Sequence, residues 1–163
     1  MRRLLPAALA VLLCQPEARA QGSPLEVVRY DGLIRAVNSA KGDVVVVDFW
    51  FDACLTCKRE FPKLVALRER YAKQGFSAIA VNLDDPHDRE KRADVEAFLK
   101  ATKSRCRHLM LDEKTDAWQQ KLKIEVFPCV FVFDRKGRLL ARWDGDEVDY
   151  EVIERRVLRA LKE

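Results

Sequence analysis

Apolar positions along this chain change period several times, and each change marks an element. Leu25–Arg29 reads as a short strand, and Tyr30–Ala40 sets Leu33, Ile34 and Val37 on one helical face. After a Lys41-Gly42-Asp43 turn, Val44–Phe49 opens with four consecutive valines. Such a run, with no polar alternation, predicts a strand buried on both faces at the centre of an α/β sheet. Helical spacing returns from Cys54 to Lys73, where Phe61, Leu64, Leu67 and Tyr71 form an inner stripe. Pro62 falls inside that helix and predicts a kink, and Gly75 supplies a C-terminal cap. Ser77–Leu83 is the next parallel strand, which completes a βαβ unit before the Asp84-Asp85-Pro86 turn.

The second half repeats the alternation in shorter pieces. Asp88–Lys103 is a helix with Val95, Phe98 and Leu99 inside and a dense charged face that reads as solvated. His108–Leu111 is a short strand and Thr115–Leu122 a short helix carrying Trp118. The strands Val130–Phe133 and Arg138–Trp143 flank an Asp134-Arg135-Lys136-Gly137 turn. Tyr150, Ile153, Val157 and Leu161 are the inner stripe of a final helix. This order predicts an α/β fold, a central mixed β-sheet flanked by helices on both faces.

Composition narrows the picture without changing it. With 163 residues, 48% hydrophobic and 34% charged, the chain has the makings of one soluble domain. Residues 1–20 read as an export signal: Arg2 and Arg3, an apolar core from Leu4 to Leu13, and Ala18-Arg19-Ala20 as a cleavage site. The expected organisation is therefore a signal peptide at 1–20 and one domain at 21–163, exported to a compartment that permits disulfides. A leader retained uncleaved would act instead as an anchor. The leader holds three arginines against one glutamate, so the formal charge of +4 falls to +2 without it. No block of Lys and Arg interleaved with aromatics occurs, which argues against a nucleic-acid partner.

The candidate chemistry lies in the cysteines. Outside the leader stand Cys54, Cys57, Cys106 and Cys129. Cys54 and Cys57 have CxxC spacing directly after the buried strand, at the start of a helix. Unpaired amide groups and the helix dipole stabilise a thiolate there. A disulfide closing so small a loop removes little chain entropy, so the pair is a poor staple and a good redox couple. Cys106 and Cys129 read either as buried thiols or as a second bridge.

These residues together identify a resemblance. Val47-Asp48-Phe49-Trp50 before the CxxC, Glu60 and Pro62 after it, Val81-Asn82-Leu83-Asp84-Asp85-Pro86, and Val126-Phe127-Pro128 followed by Asp134-Arg135-Lys136-Gly137 are similar to the thioredoxin superfamily. The similarity is to its TlpA/ResA-like periplasmic thiol-disulfide oxidoreductases, and the Cys54–Lys58 segment also resembles the C-terminal domain of DsbD. The resemblance implies a thioredoxin-like fold with a TlpA-like inserted helix and strand. It implies Cys54 as the attacking thiol and Cys57 as the resolving thiol. Asp48 matches the buried acid that handles the resolving thiol's proton. Pro128 matches a cis-proline facing the cysteines, with Phe127, Pro128 and Trp50 contacting substrate. Cys129, next to that proline, is expected near Cys54 as an accessory thiol.

The implied activity is disulfide exchange, as a reductase, by a monomer that needs no metal or organic cofactor. Its implied partners are disulfide-bearing exported proteins such as apocytochrome c, and a DsbD- or CcdA-type membrane electron donor. Two departures bear on this: Ala53 stands where the family has a Trp, and Leu55-Thr56 between the cysteines lacks the frequent proline. Two rival readings follow from the residues. One is a non-catalytic thioredoxin-like binding module. The other is a zinc-binding module using Cys54 and Cys57 with Cys106, Cys129 or His108.

Overall fold

The computed structural model describes residues 24–163; the proposed leader lies outside the described residues. The elements run β1 (Leu25–Val28), α1 (Tyr30–Ser39), β2 (Val44–Trp50), α2 (Leu55–Tyr71), β3 (Phe76–Asn82) and α3 (Arg89–Thr102). They continue with β4 (Arg107–Leu111), α4 (Thr115–Leu122), β5 (Cys129–Phe133), β6 (Leu139–Asp144) and α5 (Tyr150–Leu161).

The strands form one sheet in the order β1-β4-β3-β2-β5-β6. β1, β4, β3 and β2 are mutually parallel, and β5 runs antiparallel to both β2 and β6. All seven residues of β2 are buried, because it is central and helices cover both of its faces. Val44, Val46 and Trp50 point into the core layer shared with Phe61 and Leu64 of α2, Val95 of α3 and Ile153 and Val157 of α5. Val45, Val47 and Phe49 point into the opposite layer, with Leu33 and Val37 of α1 and Trp118 of α4. The alternation of a β-strand thus serves two cores at once.

The inserted strand expected after α3 enters the sheet between β1 and β3, so the first strand of the chain pairs with β4 and not with β2. Two details differ from the sequence reading. Ile34 is 41% exposed, and the inner face of α1 runs through Leu33, Ala36 and Val37 instead. In α5 the last inward position is Ala160, while Leu161 is only partly buried. Gly75 does end the α2 region: it adopts φ +83° after a short 3-10 turn, and its carbonyl accepts the Val44 amide at 2.8 Å where β2 begins.

Candidate active site

The end of β2 delivers the cysteines to the start of α2. Cys54 has an extended backbone and acts as the N-cap of α2, its Sγ accepting the Cys57 amide at 3.1 Å. Leu55, Thr56 and Cys57 therefore begin the helix with a sulfur where a Ser or Asp oxygen commonly sits. The first turn of α2 holds no acidic residue to oppose the dipole's stabilisation of a thiolate. Cys54 and Cys57 are joined by a disulfide, with Cα atoms 5.2 Å apart. Cys54 is partly exposed, whereas Cys57 is 2% exposed.

Contacts from the turn after β3 hold the loop before Cys54. The Asp52 amide donates to Asp84 Oδ2 at 2.7 Å, and the same oxygen accepts from Asn82 Nδ2 at 2.9 Å. Lys58 returns from α2 to pair with the Asp52 carboxylate at 2.6 Å. The junction is braced on both sides of the disulfide.

Asp48 sits on the α2 side of the sheet and is 2% exposed. Burial is the main cause of an upward shift of its carboxyl to about 7. A hydrogen bond from the Tyr150 hydroxyl opposes that shift, and the charge of Glu60 adds to it.

The Phe127–Pro128 peptide bond is cis. The Pro128 carbonyl accepts the Gly145 amide at 2.8 Å, and the backbone of Phe127 makes no hydrogen bond among the described residues. The Phe127 ring packs edge-on to Phe51 at 4.7 Å between centroids and reaches Trp118 at 6.0 Å. Phe51, Ala53, Cys54, Leu83, Asp85 and Phe127 line an open groove of about 540 Å³. The fold therefore brings Cys54 and Phe127 to one surface depression. Ala53 is exposed at its edge and leaves the space beside Cys54 open.

Gly145 supports this arrangement from the turn that follows β6. It adopts φ +56°, and a Cβ there would lie 2.7 Å from Val126 Cγ1. Gly145→Ala is expected to destabilise the protein by about 1–2 kcal/mol from the left-handed backbone alone, and to displace Val126 next to Phe127. Urea unfolding of the variant measures the loss; parent-like stability would mean that the turn relaxes without strain.

Several expected site residues lie elsewhere. Trp50 is 1% exposed and packs against Phe61 and Phe98 with centroids 5.6 and 5.1 Å apart, so it is a core residue and offers no substrate contact. Pro128 is itself buried, which leaves contact at this loop to Phe127. Cys129 is not beside Cys54 in the way expected of an accessory thiol. It pairs with Phe49 across β2 and β5, and so packs in the α1/α4 layer, on the face opposite Cys57. Its thiol is pushed up by burial and by Asp144, which makes it a poor nucleophile.

Cys106 is a free, fully buried thiol on the α2 side, pushed up to about 11 by burial. No second bridge joins it to Cys129, because the sheet separates the two. Among the described residues no group of three or more His, Cys, Asp and Glu side chains is placed to hold a metal ion. No helix among them is long and apolar enough to cross a membrane.

Leu55, part of the pair between the cysteines, and Val126, part of the proline motif, are 81% and 55% exposed and flank Cys54 and Phe127 in the chain. Sequence reasoning missed one contributor. Tyr150, read only as a core position of the last helix, bonds the buried acid; a hydroxyl in an otherwise apolar stripe was its one mark.

Comparison with known proteins agrees with this geometry. The model of a family described as Thioredoxin-like matches residues 42–139. Thiol-disulfide oxidoreductase ResA of Geobacillus thermodenitrificans is 26% identical over 109 residues, which is 67% of this chain and 59% of that protein. The chain thus spans about three fifths of that relative's length. The solution structure of a thiol:disulfide interchange protein from Bacteroides sp. superposes with a TM-score of 0.56 at 29% identity, covering 74% of this chain and 77% of that one. The thioredoxin domain of a thiol-disulfide oxidoreductase from Bacteroides vulgatus gives 0.57 at 26% identity, covering 74% and 83%. With the family match extending over more than half its length, and the paired cysteines and cis-proline loop set at the ends of β2 and β5, this chain belongs to the thioredoxin-like family.

Proposed function

We propose that this protein is an exported thiol-disulfide oxidoreductase that reduces disulfides in other exported proteins. The observation that carries the reading is the disulfide at the N-terminus of α2, its outer cysteine partly exposed and the sulfur of that cysteine hydrogen-bonded by a helix amide. In the reduced protein the Cys54 thiolate attacks one sulfur of a substrate disulfide. A Cys54–substrate disulfide forms and the other substrate sulfur leaves as a thiolate. Cys57 then gives its proton to the Asp48 carboxylate and attacks Cys54. The Cys54–Cys57 bond forms, and the second substrate sulfur departs as a thiolate that takes up a proton. Two electrons pass from the protein's dithiol to the substrate. All of the transfer runs between sulfurs, so no metal or organic cofactor takes part.

The family resemblance supports the remaining roles. Phe127 would pair its free backbone with an extended substrate segment, as an added strand does at a sheet edge. A DsbD- or CcdA-type membrane protein would return electrons to the oxidised pair. Apocytochrome c and other exported cysteine-bearing chains are the clients that fit a leader-directed monomer.

Equilibration of the purified protein with graded ratios of reduced to oxidised glutathione, followed by thiol trapping and mass mapping, tests the activity. A reversible two-electron couple confined to Cys54 and Cys57 is expected, and its midpoint reports the direction of exchange. A pair that stays oxidised or stays reduced across the whole range would leave only a binding role.

A further inference from the structure

Among the described residues the buried acid under the active-site helix has one hydrogen-bond donor, and it comes from the far end of the chain. The Tyr150 hydroxyl donates to Asp48 Oδ2 at 2.7 Å, across 102 positions of sequence. Both side chains are almost fully buried, at 2% for Asp48 and 3% for Tyr150. The other carboxylate oxygen, Oδ1, has no partner among the described residues.

Among the described residues no cation pairs with this carboxylate. From α2 come Cys57, in the same core layer, and Glu60, whose charge is felt at Asp48. Just before β4 lies Cys106, close enough for the charges of Asp48 and of Arg68 in α2 to act on its thiol in opposite directions. β3 and β5 contribute Ala80 and Val130, which are the direct cross-strand neighbours of Asp48. His108 stands beyond Ala80 in the same row, and neither ring nitrogen has a partner among the described residues. Burial and the Glu60 charge favour a protonated Asp48, and among the described residues only the Tyr150 hydrogen bond favours the carboxylate.

We propose that Tyr150 is a positioning residue for disulfide exchange: its hydroxyl keeps Asp48 ionised, and so able to accept the proton of Cys57 in the second step. The inference rests on Cys57 being the resolving thiol. With the hydroxyl in place Asp48 lies at about 7, where it can both take and return a proton near neutrality. Tyr150 cannot substitute as the acceptor. Its own burial and the negative charge of Asp48 raise its phenol well above the ordinary range, so it remains a donor at every working pH.

The test uses the reduced full chain and Ellman's reagent, a small aromatic disulfide that releases one coloured thiolate at each step. Attack by Cys54 gives the first burst, and attack by Cys57 on the mixed disulfide gives the second. Tyr150→Phe is expected to leave the first burst unchanged. It should move the pH midpoint of the second upward by about one pH unit and slow that step roughly fivefold at pH 7. Above pH 9 the two proteins should converge. Added to Asp48→Asn, the substitution should have no further effect.

Replacing Tyr150 by 3-fluorotyrosine, a stronger donor of nearly the same shape, must move the midpoint the other way. An unmoved midpoint in both variants, or a slowing equal at all pH values, overturns the proposal and leaves Tyr150 a packing residue. A second burst that persists in Cys57→Ser would overturn the resolving role itself, a result separate from either.

Discussion

Cys54→Ser should reduce disulfide-exchange activity to the uncatalysed rate, while Cys57→Ser should retain the first step and stall after it. The asymmetry follows from where α2 begins. Cys54 is the partly exposed N-cap with an amide on its sulfur, and Cys57 is buried one turn inward. A serine hydroxyl at position 54 is not ionised near neutral pH and cannot displace a thiolate. With Cys54 present and Cys57 absent, the mixed disulfide has no intramolecular exit and should accumulate. Mass spectrometry after addition of a disulfide-bearing peptide would show an adduct on Cys57→Ser and none on Cys54→Ser. Adducts forming equally on both single variants would place the nucleophile wrongly. Full activity in Cys54→Ser would show that exchange does not run through this cysteine, whereas a parent that binds its partner without exchanging disulfides would match the non-catalytic reading.

The second large effect is on stability. Asp48 has an ordinary value of 3.8 and lies at about 7 in the folded protein, chiefly because burial disfavours its charge. The folded state therefore holds this proton more tightly than the unfolded chain does. Below the unfolded value Asp48 is neutral in both states and carries no penalty. As pH rises toward the folded value the unfolded chain ionises first, and stability falls until both states are charged. The cost reaches about 4 kcal/mol above pH 8, since each tenfold difference in proton affinity between the two states is worth about 1.4 kcal/mol. Asp48→Asn removes the ionisation and keeps an oxygen that can accept from Tyr150. In the oxidised state it should match the parent near pH 3 and exceed it by about 4 kcal/mol near pH 8. Urea unfolding at the two pH values measures the difference. Parallel pH dependence of the two proteins would show that Asp48 is not shifted upward. The same variant should slow the Cys57 step, so the acid that weakens the fold is the one that serves the reaction.

What could be read from the chain were the features that depend on near neighbours. The valine run predicted a strand buried on both faces, and β2 is buried throughout. CxxC spacing after that strand placed one sulfur at a helix cap and another one turn inward, because the helical repeat alone brings those positions together. The mixed sheet with helices on both faces also followed from the order of periodicities.

Trp50 shows where such reading stops. An aromatic residue next to an active site suits a contact surface as well as a core, and only the packing of Phe61 and Phe98 against it makes it core. Cys129 fails for a different reason. Its nearness to Pro128 in sequence says nothing about which face of the sheet it occupies. That was decided by the β2–β5 register, which sets it opposite Phe49.

The sequence by itself determined the redox pair and its placement, since a strand, a turn and the first turn of a helix are specified within about a dozen residues. Only the tertiary structure decided that β4 lies between β1 and β3, that Cys106 and Cys129 are separated by the sheet, and that Tyr150 bonds Asp48. Each of these depends on which strand edges pair and which helix face docks. Those choices minimise the free energy of the whole core, and no local window of residues encodes them.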